Sequence, residues 1–389
     1  MKIASLLFSL VNIVTSKTYI VQTEQISTSD YHNFLSLEHV TNEIHIGDFH
    51  AFIVERYSGS DNPYHLYEYS FVKNVEEDQV ATISNHVSPL LLQDKSKMMM
   101  YQENNRNFNP YYLQTNPVWN LDRIDQRPSN LDNKYFYSVT KGSNVNVYVI
   151  DTGIDITHPE FGGRAVWGTN TVDNNNVDCN DHGTHVSGTI GSNTYGVAKG
   201  ANLIAVKALD CNGSGTYSGI LAGMEWVVNQ ANKTGKPSVV NMSLGGGQSS
   251  AINQAVAQMT AAGVHVVVAA GNENQNACNT SPASEPSAIT VAALDQGGPL
   301  AYFSNWGTCV NIIAPGTNIL STFPGGKTAV LQGTSMASPH VAGAVANFLG
   351  DFPNTSPAAM QKGITSGCTQ GVVTGNLNST PNCLLYTIA

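Results

Sequence analysis

Long apolar runs are missing from this chain of 389 residues. A bilayer-spanning helix needs about 20 consecutive apolar residues, and only the first stretch, from Met1 to Ser16, approaches that character. Charge is also scarce. Only 12% of residues are charged, 28 acidic against 18 basic, for a formal net charge of −10. That balance excludes a basic nucleic-acid surface and excludes disorder driven by charge. No cysteine precedes Cys179, and neither a Cys-x-x-Cys pair nor a Cys/His cluster occurs, so zinc is not expected. Internal repeats are absent too. The length is ample for a large core.

What is present begins at the N-terminus. Lys2, a short apolar run and the small residues Thr15-Ser16 have the order of a secretory signal peptide, assigned to residues 1–16. Export predicts a secreted, extracellular protein with no membrane anchor. It also places the even set of six cysteines in an oxidising compartment, where three disulfides are expected; the sequence alone leaves their pairing open. Asn-x-Ser/Thr triplets include those at Asn232, Asn241, Asn279, Asn354 and Asn378, and Asn241 lies in an apparent buried strand.

After the signal, strands are expected at Tyr19-Ile20-Val21 and His50 to Val54, with a helix around Tyr31 to Val40. The polar, aperiodic stretch Gln102 to Asn109 reads as a linker. It separates a segment assigned to residues 17–110 from a larger domain at 111–389. From Tyr111 onward the rhythm is strand, glycine-rich turn, helix. Strands are expected at Val145–Ile150, Leu203–Leu209, Val239–Leu244 and Val264–Ala270, with helices at Ser218–Ala231 and Ser250–Ala262. Ser249 or Ser250 suits an N-cap and Gly263 suits the residue after the helix end. Short buried strands alternating with helices predict an α/β fold with a doubly wound, mostly parallel sheet, preceded by a small α+β domain. Ligands in such sheets bind at the carboxyl ends of the strands.

Three polar residues fall at such ends. Asp151 closes Val-Ile-Asp-Thr-Gly, His182 stands in Asn-Asp-His-Gly-Thr-His-Val, and Ser335 opens a buried helix in Gly-Thr-Ser-Met-Ala-Ser-Pro-His. Pro339 is expected in the first turn of that helix, where a missing N–H costs nothing. A serine hydroxyl is a poor nucleophile until a base takes its proton, and the base needs a carboxylate to fix its tautomer. Asp, His and Ser are the set that acyl transfer requires. Asn272, at the end of Val-Val-Val-Ala-Ala-Gly-Asn, can donate to a developing oxyanion together with the Ser335 backbone N–H. Asp151-Thr152-Gly153 also fits an aspartic-protease motif, but no second Asp-Thr/Ser-Gly supplies the partner carboxylate.

These motifs, in the order Asp, His, Ser, resemble the subtilisin-like serine proteases, and more closely the proteinase K and aqualysin branch, over roughly Pro117 to Ala389. The resemblance implies Asp151, His182 and Ser335 as the triad and Asn272 as oxyanion donor. It implies a secreted endopeptidase of broad specificity that needs no cofactor for catalysis, acts on proteins and peptides, and works as a monomer. Gly213-Ser214-Gly215 and Ser243-Leu244-Gly245-Gly246 match the two segments between which a peptide pairs as an added strand. Ala270-Gly271 would line the pocket for the side chain before the cut, where nothing charged is evident. The opening Lys17-Thr18-Tyr19-Ile20-Val21 resembles an inhibitory propeptide that assists folding, with its cut expected between Asn109 and Gln114. Implied disulfides are Cys179–Cys211, Cys278–Cys309 and Cys368–Cys383; Val186 stands where that branch often has a free cysteine. Structural calcium is implied at Asp122, Asp125, Gln126 and Asp132. A second calcium site would use the carbonyls of Pro286 and Ala288, but Asn311 replaces its aspartate. The competing reading is a catalytically inactive secreted binding protein on the same fold.

Overall fold

The computed structural model describes residues 16–57, 63–83, 90–91, 100–101 and 111–387. The expected signal segment up to residue 15 and the linker at 102–109 lie outside them. The chain divides into two compact units. One holds the chain through Ile44 together with His50–Asp78, and the other holds His45–Phe49 and Gln79–Ala389. This division falls earlier than the composition change near residue 110, because Gln79 and the strand after it belong to the larger unit.

The first unit is built on β1 (Ser16–Thr23), α1 (Thr28–Leu37), β2 (Val40–Ile46), β3 (Phe49–Tyr57) and β4 (Val72–Glu77), in the sheet order β2-β3-β1-β4, apart from the His45–Phe49 turn where β2 meets β3. β1 pairs antiparallel with both β3 and β4. Tyr19, Val21, Phe52 and Val54 alternate onto one face, where Phe34 of α1 closes an aromatic cluster with Phe71. The helix expected up to Val40 ends at Leu37. Ser27 caps its start by accepting from the Asp30 N–H, and Val40 already begins β2, where a β-branched residue is at ease.

The second unit contains β5 (Val80–Thr82), β6 (Tyr111–Thr115), α2 (Trp119–Ile124), β7 (Lys134–Ser138), β8 (Asn146–Asp151), β9 (Ala165–Asn170), α3 (His182–Gly191) and β10 (Asn202–Lys207). It continues with β11 (Ser214–Thr216), α4 (Tyr217–Thr234), β12 (Ser238–Met242), α5 (Ser250–Ala261), β13 (His265–Ala269), β14 (Ile289–Leu294) and β15 (Ile312–Pro315). The last elements are β16 (Ile319–Phe323), β17 (Lys327–Leu331), α6 (Thr334–Asp351), α7 (Pro357–Gly367), β18 (Thr369–Gln370) and β19 (Cys383–Leu384). Its main sheet has nine strands in the order β9-β10-β8-β12-β13-β14-β15-β19-β18. Pairings are parallel from β9 through β19, and only the β18–β19 edge is antiparallel. The expected doubly wound sheet is the fold found.

The central strands are buried on both faces, which is why they read as continuous runs of Val, Ile and Ala rather than as alternating patterns. α6 runs through the core, with Met336, Val341, Val345 and Leu349 at most 1% exposed. α5 is bounded as its sequence predicts. Ser249 accepts from the Ile252 N–H at its start, and Gly263 takes a positive φ of 88° after its end. The three disulfides join Cys179 to Cys211, Cys278 to Cys309 and Cys368 to Cys383. Asn241 is buried in β12, with its amide donating to the Ser243 hydroxyl. Among the described residues no helix is long and apolar enough to cross a membrane.

Candidate active site

Asp151 is the last residue of β8 and His182 the first of α3. Both side chains are fully buried. The His182 Nδ1 hydrogen-bonds Asp151 Oδ1 at 2.8 Å and Oδ2 at 3.0 Å. The approach of strand end to helix start depends on Gly183, where a Cβ would come within 2.1 Å of the Gly153 carbonyl oxygen. The other ring nitrogen, Nε2, is buried without a hydrogen-bond partner. With Nδ1 donating to the carboxylate, Nε2 is the ring nitrogen left to accept a proton when the imidazole is neutral. Lys207 lies beside Asp151 in the sheet, fully buried, and its Nζ donates to the carbonyls of Thr152 at 3.2 Å and Val177 at 3.3 Å.

Ser335 is the second residue of α6, so its N–H has no partner within the helix. Gly333 at φ 150° is the N-cap. The helix starts one residue earlier than the sequence predicts, and Pro339 falls in its interior rather than its first turn. A proline there leaves the carbonyl four residues back without its N–H partner. That carbonyl belongs to Ser335, and it accepts instead from the Ser243 hydroxyl at 2.9 Å. The Ser335 hydroxyl in turn donates to the Ser243 carbonyl at 3.2 Å. In this structure Ser335 is therefore turned toward Ser243, not toward His182.

Asn272 follows β13 and is 8% exposed. Its Oδ1 accepts from the Thr334 N–H at 2.8 Å and the Thr334 hydroxyl at 2.9 Å. Pinning the oxygen sets the amide so that its nitrogen, the donor end, lies on the opposite side. Asn272 and Ser335 line one cavity of about 260 Å³ with Leu244, Gly245, Ala270, Gly271 and Ala283. Glu273 and Thr334 also line it, and neither was singled out in the sequence. The expectation of an uncharged pocket is thus corrected. Glu273 follows Asn272 in the same polar loop, and its Oε2 accepts from the Asn305 amide at 2.7 Å.

The glycine-rich segments are already paired. β5 runs antiparallel to β11, with Thr82 opposite Ser214, Ala81 opposite Gly215 and Val80 opposite Thr216. Thr82 and Gly245 exchange hydrogen bonds at 3.0 and 3.2 Å, and the Ile83 N–H donates to the Gly213 carbonyl at 3.0 Å. One short strand of this chain thus lies between the two segments expected to hold a peptide. The expected cut between Asn109 and Gln114 lies partly outside the described residues. Tyr111–Gln114 lies within strand β6, paired with β7.

The candidate cation positions separate into two kinds. Asp125 Oδ2 accepts from the Phe136 N–H at 2.7 Å, while its Oδ1 is buried with no hydrogen-bond partner. Burial raises its pKa to about 7, and the neighbouring Asp122 and Asp132 carboxylates add to that. Asp122 accepts from the N–H groups of Asp132 at 3.1 Å and Asn133 at 2.7 Å. The Gln126 amide donates to the Asn130 carbonyl at 2.7 Å. The unpartnered Asp125 oxygen is the one feature there that suits a hard cation, but the three acids do not bring their oxygens within 4.8 Å of one another; among the described residues only Glu43, His45 and His50 do so. The second position does not fit a cation. The carbonyls of Pro286 and Ala288 both accept from the Gln361 amide of α7, at 2.9 and 2.7 Å. The Asn311 side-chain oxygen is engaged elsewhere, accepting from the Thr290 N–H at 2.7 Å. A neutral amide already occupies both carbonyls, so calcium is not expected there.

The Peptidase S8 profile, described as the Subtilase family, matches residues 142–379. A subtilisin-like protease of Coccidioides posadasii is 54% identical over 236 residues, 60% of this chain and 59% of that protein. A cuticle-degrading serine protease of Arthrobotrys oligospora is 46% identical over 295 residues, 74% of this chain and 72% of that protein. Several of these matches span less than two thirds of the relative's length. The crystal structure of a cold-adapted subtilisin-like serine proteinase, 46% identical, superposes with a TM-score of 0.68 over 71% of this chain and all of that one. The chain belongs to the subtilase family.

Proposed function

We propose that this protein is a secreted serine endopeptidase, made as a zymogen, that hydrolyses peptide bonds through Asp151, His182 and Ser335. The observation that carries the reading is the buried His182, held at Nδ1 by Asp151 while Nε2 is unpartnered. In the reaction the Ser335 hydroxyl leaves the Ser243 carbonyl and gives its proton to Nε2 as Oγ attacks the substrate carbonyl carbon. Asp151 stabilises the imidazolium that forms. The oxyanion accepts from the Asn272 amide and the Ser335 N–H. Collapse breaks the C–N bond, the imidazolium returns its proton to the departing amine, and an acyl-Ser335 ester remains. Water, deprotonated by the same histidine, then hydrolyses that ester.

The substrate strand takes the place that β5 holds here, between Ser214–Thr216 and Gly245. Strand addition supplies main-chain bonds and leaves selectivity to the side-chain pocket. With Ala270, Gly271 and Ala283 lining it, that pocket favours apolar and aromatic side chains before the cut, and Glu273 adds tolerance of a basic one. The residues ahead of the catalytic domain act as propeptide, and β5 blocks the cleft until it is cut away. Secretion rests on the N-terminal sequence, and a monomeric state on the resemblance. Asp122, Asp125, Gln126 and Asp132 are the residues that would hold a structural calcium ion, which would neutralise buried acids without entering the chemistry. EDTA should therefore lower the melting temperature, and an unchanged value sets that ion aside.

Phenylmethylsulfonyl fluoride should label Ser335 and stop cleavage of casein, and Ser335→Ala should remove both labelling and activity. The secreted active chain should carry a new N-terminus downstream of Ile83, whereas the Ser335→Ala chain should keep the first unit. Casein cleavage by Ser335→Ala at the wild-type rate would falsify the mechanism. Absence of cleavage by the processed wild type would favour a binding protein instead.

A further inference from the structure

Asp178 lies four residues before His182, outside the motifs that point to the site. It is 4% exposed, and its carboxylate accepts five hydrogen bonds. Oδ1 takes the Thr152 hydroxyl at 2.8 Å and the N–H groups of Asn180 at 3.3 Å and Asp181 at 2.9 Å. Oδ2 takes the Thr184 N–H at 2.8 Å and the Thr184 hydroxyl at 2.6 Å. Thr152 is the residue after Asp151, and Thr184 is two residues after His182. The circuit closes on itself, because the Thr152 hydroxyl oxygen accepts from the Gly183 N–H at 3.0 Å.

We propose that Asp178 is a positioning residue, a buried carboxylate that clamps the Asp151 strand end to the first turn of the His182 helix and so sets the geometry of that pair. This rests on the triad reading above. A carboxylate is the group the place requires, since only two acceptor oxygens with no hydrogen can face donors on both sides. Asparagine keeps the shape but turns an NH₂ toward either the Thr152 or the Thr184 donors. The clamp then opens on that side. Displacements of about 1 Å at a catalytic group can cost on the order of 10²-fold in rate.

The charged groups around the clamp are Asp151 and His182 within the site, Lys207 from β10, Asp181 on the same loop, and Lys327, which acts on Asp181. Taking one negative charge from this set leaves the His182 imidazolium less favoured. The acid limb of kcat/KM should accordingly move to lower pH in Asp178→Asn.

The test uses secreted, processed enzyme with a peptide amide substrate, and kcat is normalised to sites titrated with phenylmethylsulfonyl fluoride. Asp178→Asn should lower kcat about 10- to 100-fold with KM within about 2-fold, and shift the acid limb downward. Thr152→Val, which removes one donor to the clamp, should lower kcat in the same sense, and Thr152→Ser, which keeps the hydroxyl, should restore it. Because Thr152 leaves the carboxylate in place, this pair decides the matter if Asp178→Asn does not fold. A purely structural role predicts fewer titratable sites, each with wild-type kcat and an unmoved pH profile, and that result overturns the proposal. Failure of wild-type Ser335 to be labelled would instead overturn the triad reading, which keeps the two distinguishable.

Discussion

Asp151 and His182 are joined side chain to side chain at 2.8 and 3.0 Å, whereas Ser335 and Asn272 are held by a mixture of hydroxyl and main-chain groups of Ser243 and Thr334. On the proposed mechanism, the difference follows from what each half has to do. A base must keep one tautomer and one orientation through the whole cycle, so its ring is fixed by a carboxylate. A nucleophile has to move its hydroxyl from a resting partner to the base and then to carbon. The Ser335 backbone is immobilised by a buried helix, while its hydroxyl makes a single contact of 3.2 Å, easily exchanged. Asn272 belongs with the second half, since its oxygen is anchored by the Thr334 N–H and hydroxyl beside Ser335.

The comparison is broken most severely on the side of the base. Asp151→Asn keeps the shape and loses the charge and the tautomer, and should lower kcat by about 10⁴-fold. Asn272→Ala removes one oxyanion donor from a site whose backbone donor remains, and should lower kcat by about 10²–10³-fold with KM little changed. Steady-state kinetics on titrated enzyme measure both. If Asn272→Ala proves as costly as Asp151→Asn, the anchored amide does more than donate, and the two halves are not separable as described.

Much of this was readable in advance, for reasons that differ by residue. Asp151, His182 and Ser335 are legible because each needs a strand end or helix start, and those places carry glycine and small residues that show in a sequence. The parallel strands are legible because burial on both faces makes them continuous apolar runs. Pro339 was misplaced because its defect is repaired from a distant segment, Ser243, which no local rule anticipates. Gln361 was missed for the same reason, since nothing in α7 announces that its amide will reach the carbonyls of Pro286 and Ala288. Asp178 did carry a signal, an acid just before a histidine motif in a loop, but an acid there reads equally well as a turn residue. β5 was overlooked because Val80 to Thr82 is too short to be told from a loop by periodicity.

Acid should weaken both halves, each through its own buried histidine. His185 of α3 hydrogen-bonds the carbonyls of Ile319 and Ala329, and burial pushes its pKa down to about 3. His340 of α6 sits between the Met336 carbonyl and the Asn120 amide, and burial pushes its pKa down to about 4. Both are held neutral in the fold, whereas in the unfolded chain histidine takes up a proton near pH 6.5. Their contribution is complete above about pH 6.5 and is lost as pH falls toward 4, with a slope of up to about 1.4 kcal/mol per pH unit for each. Urea unfolding of the Ser335→Ala protein, which cannot digest itself, should show this decline, and adding His340→Gln should flatten part of it. A midpoint constant from pH 6.5 to 4.5 would contradict both assignments.

The smallest effect isolates the join between nucleophile and scaffold. Ser243→Ala deletes the hydroxyl that serves the Ser335 carbonyl and accepts from the Asn241 amide, leaving a buried acceptor and a buried donor without this partner, at a cost of about 1–3 kcal/mol in stability for each group left unsatisfied. The resting partner of the Ser335 hydroxyl is the Ser243 main-chain carbonyl, which the substitution keeps. Pro339→Ala gives the helix the N–H whose absence exposed that carbonyl. In the Pro339→Ala background Ser243→Ala should therefore cost less, because the carbonyl has a partner within the helix. A double-mutant cycle by urea unfolding, in the Ser335→Ala protein, reads this coupling directly. Strict additivity would mean that Ser243 and Pro339 do not compensate one another, and that the main chain of the nucleophile is held by something other than this pair.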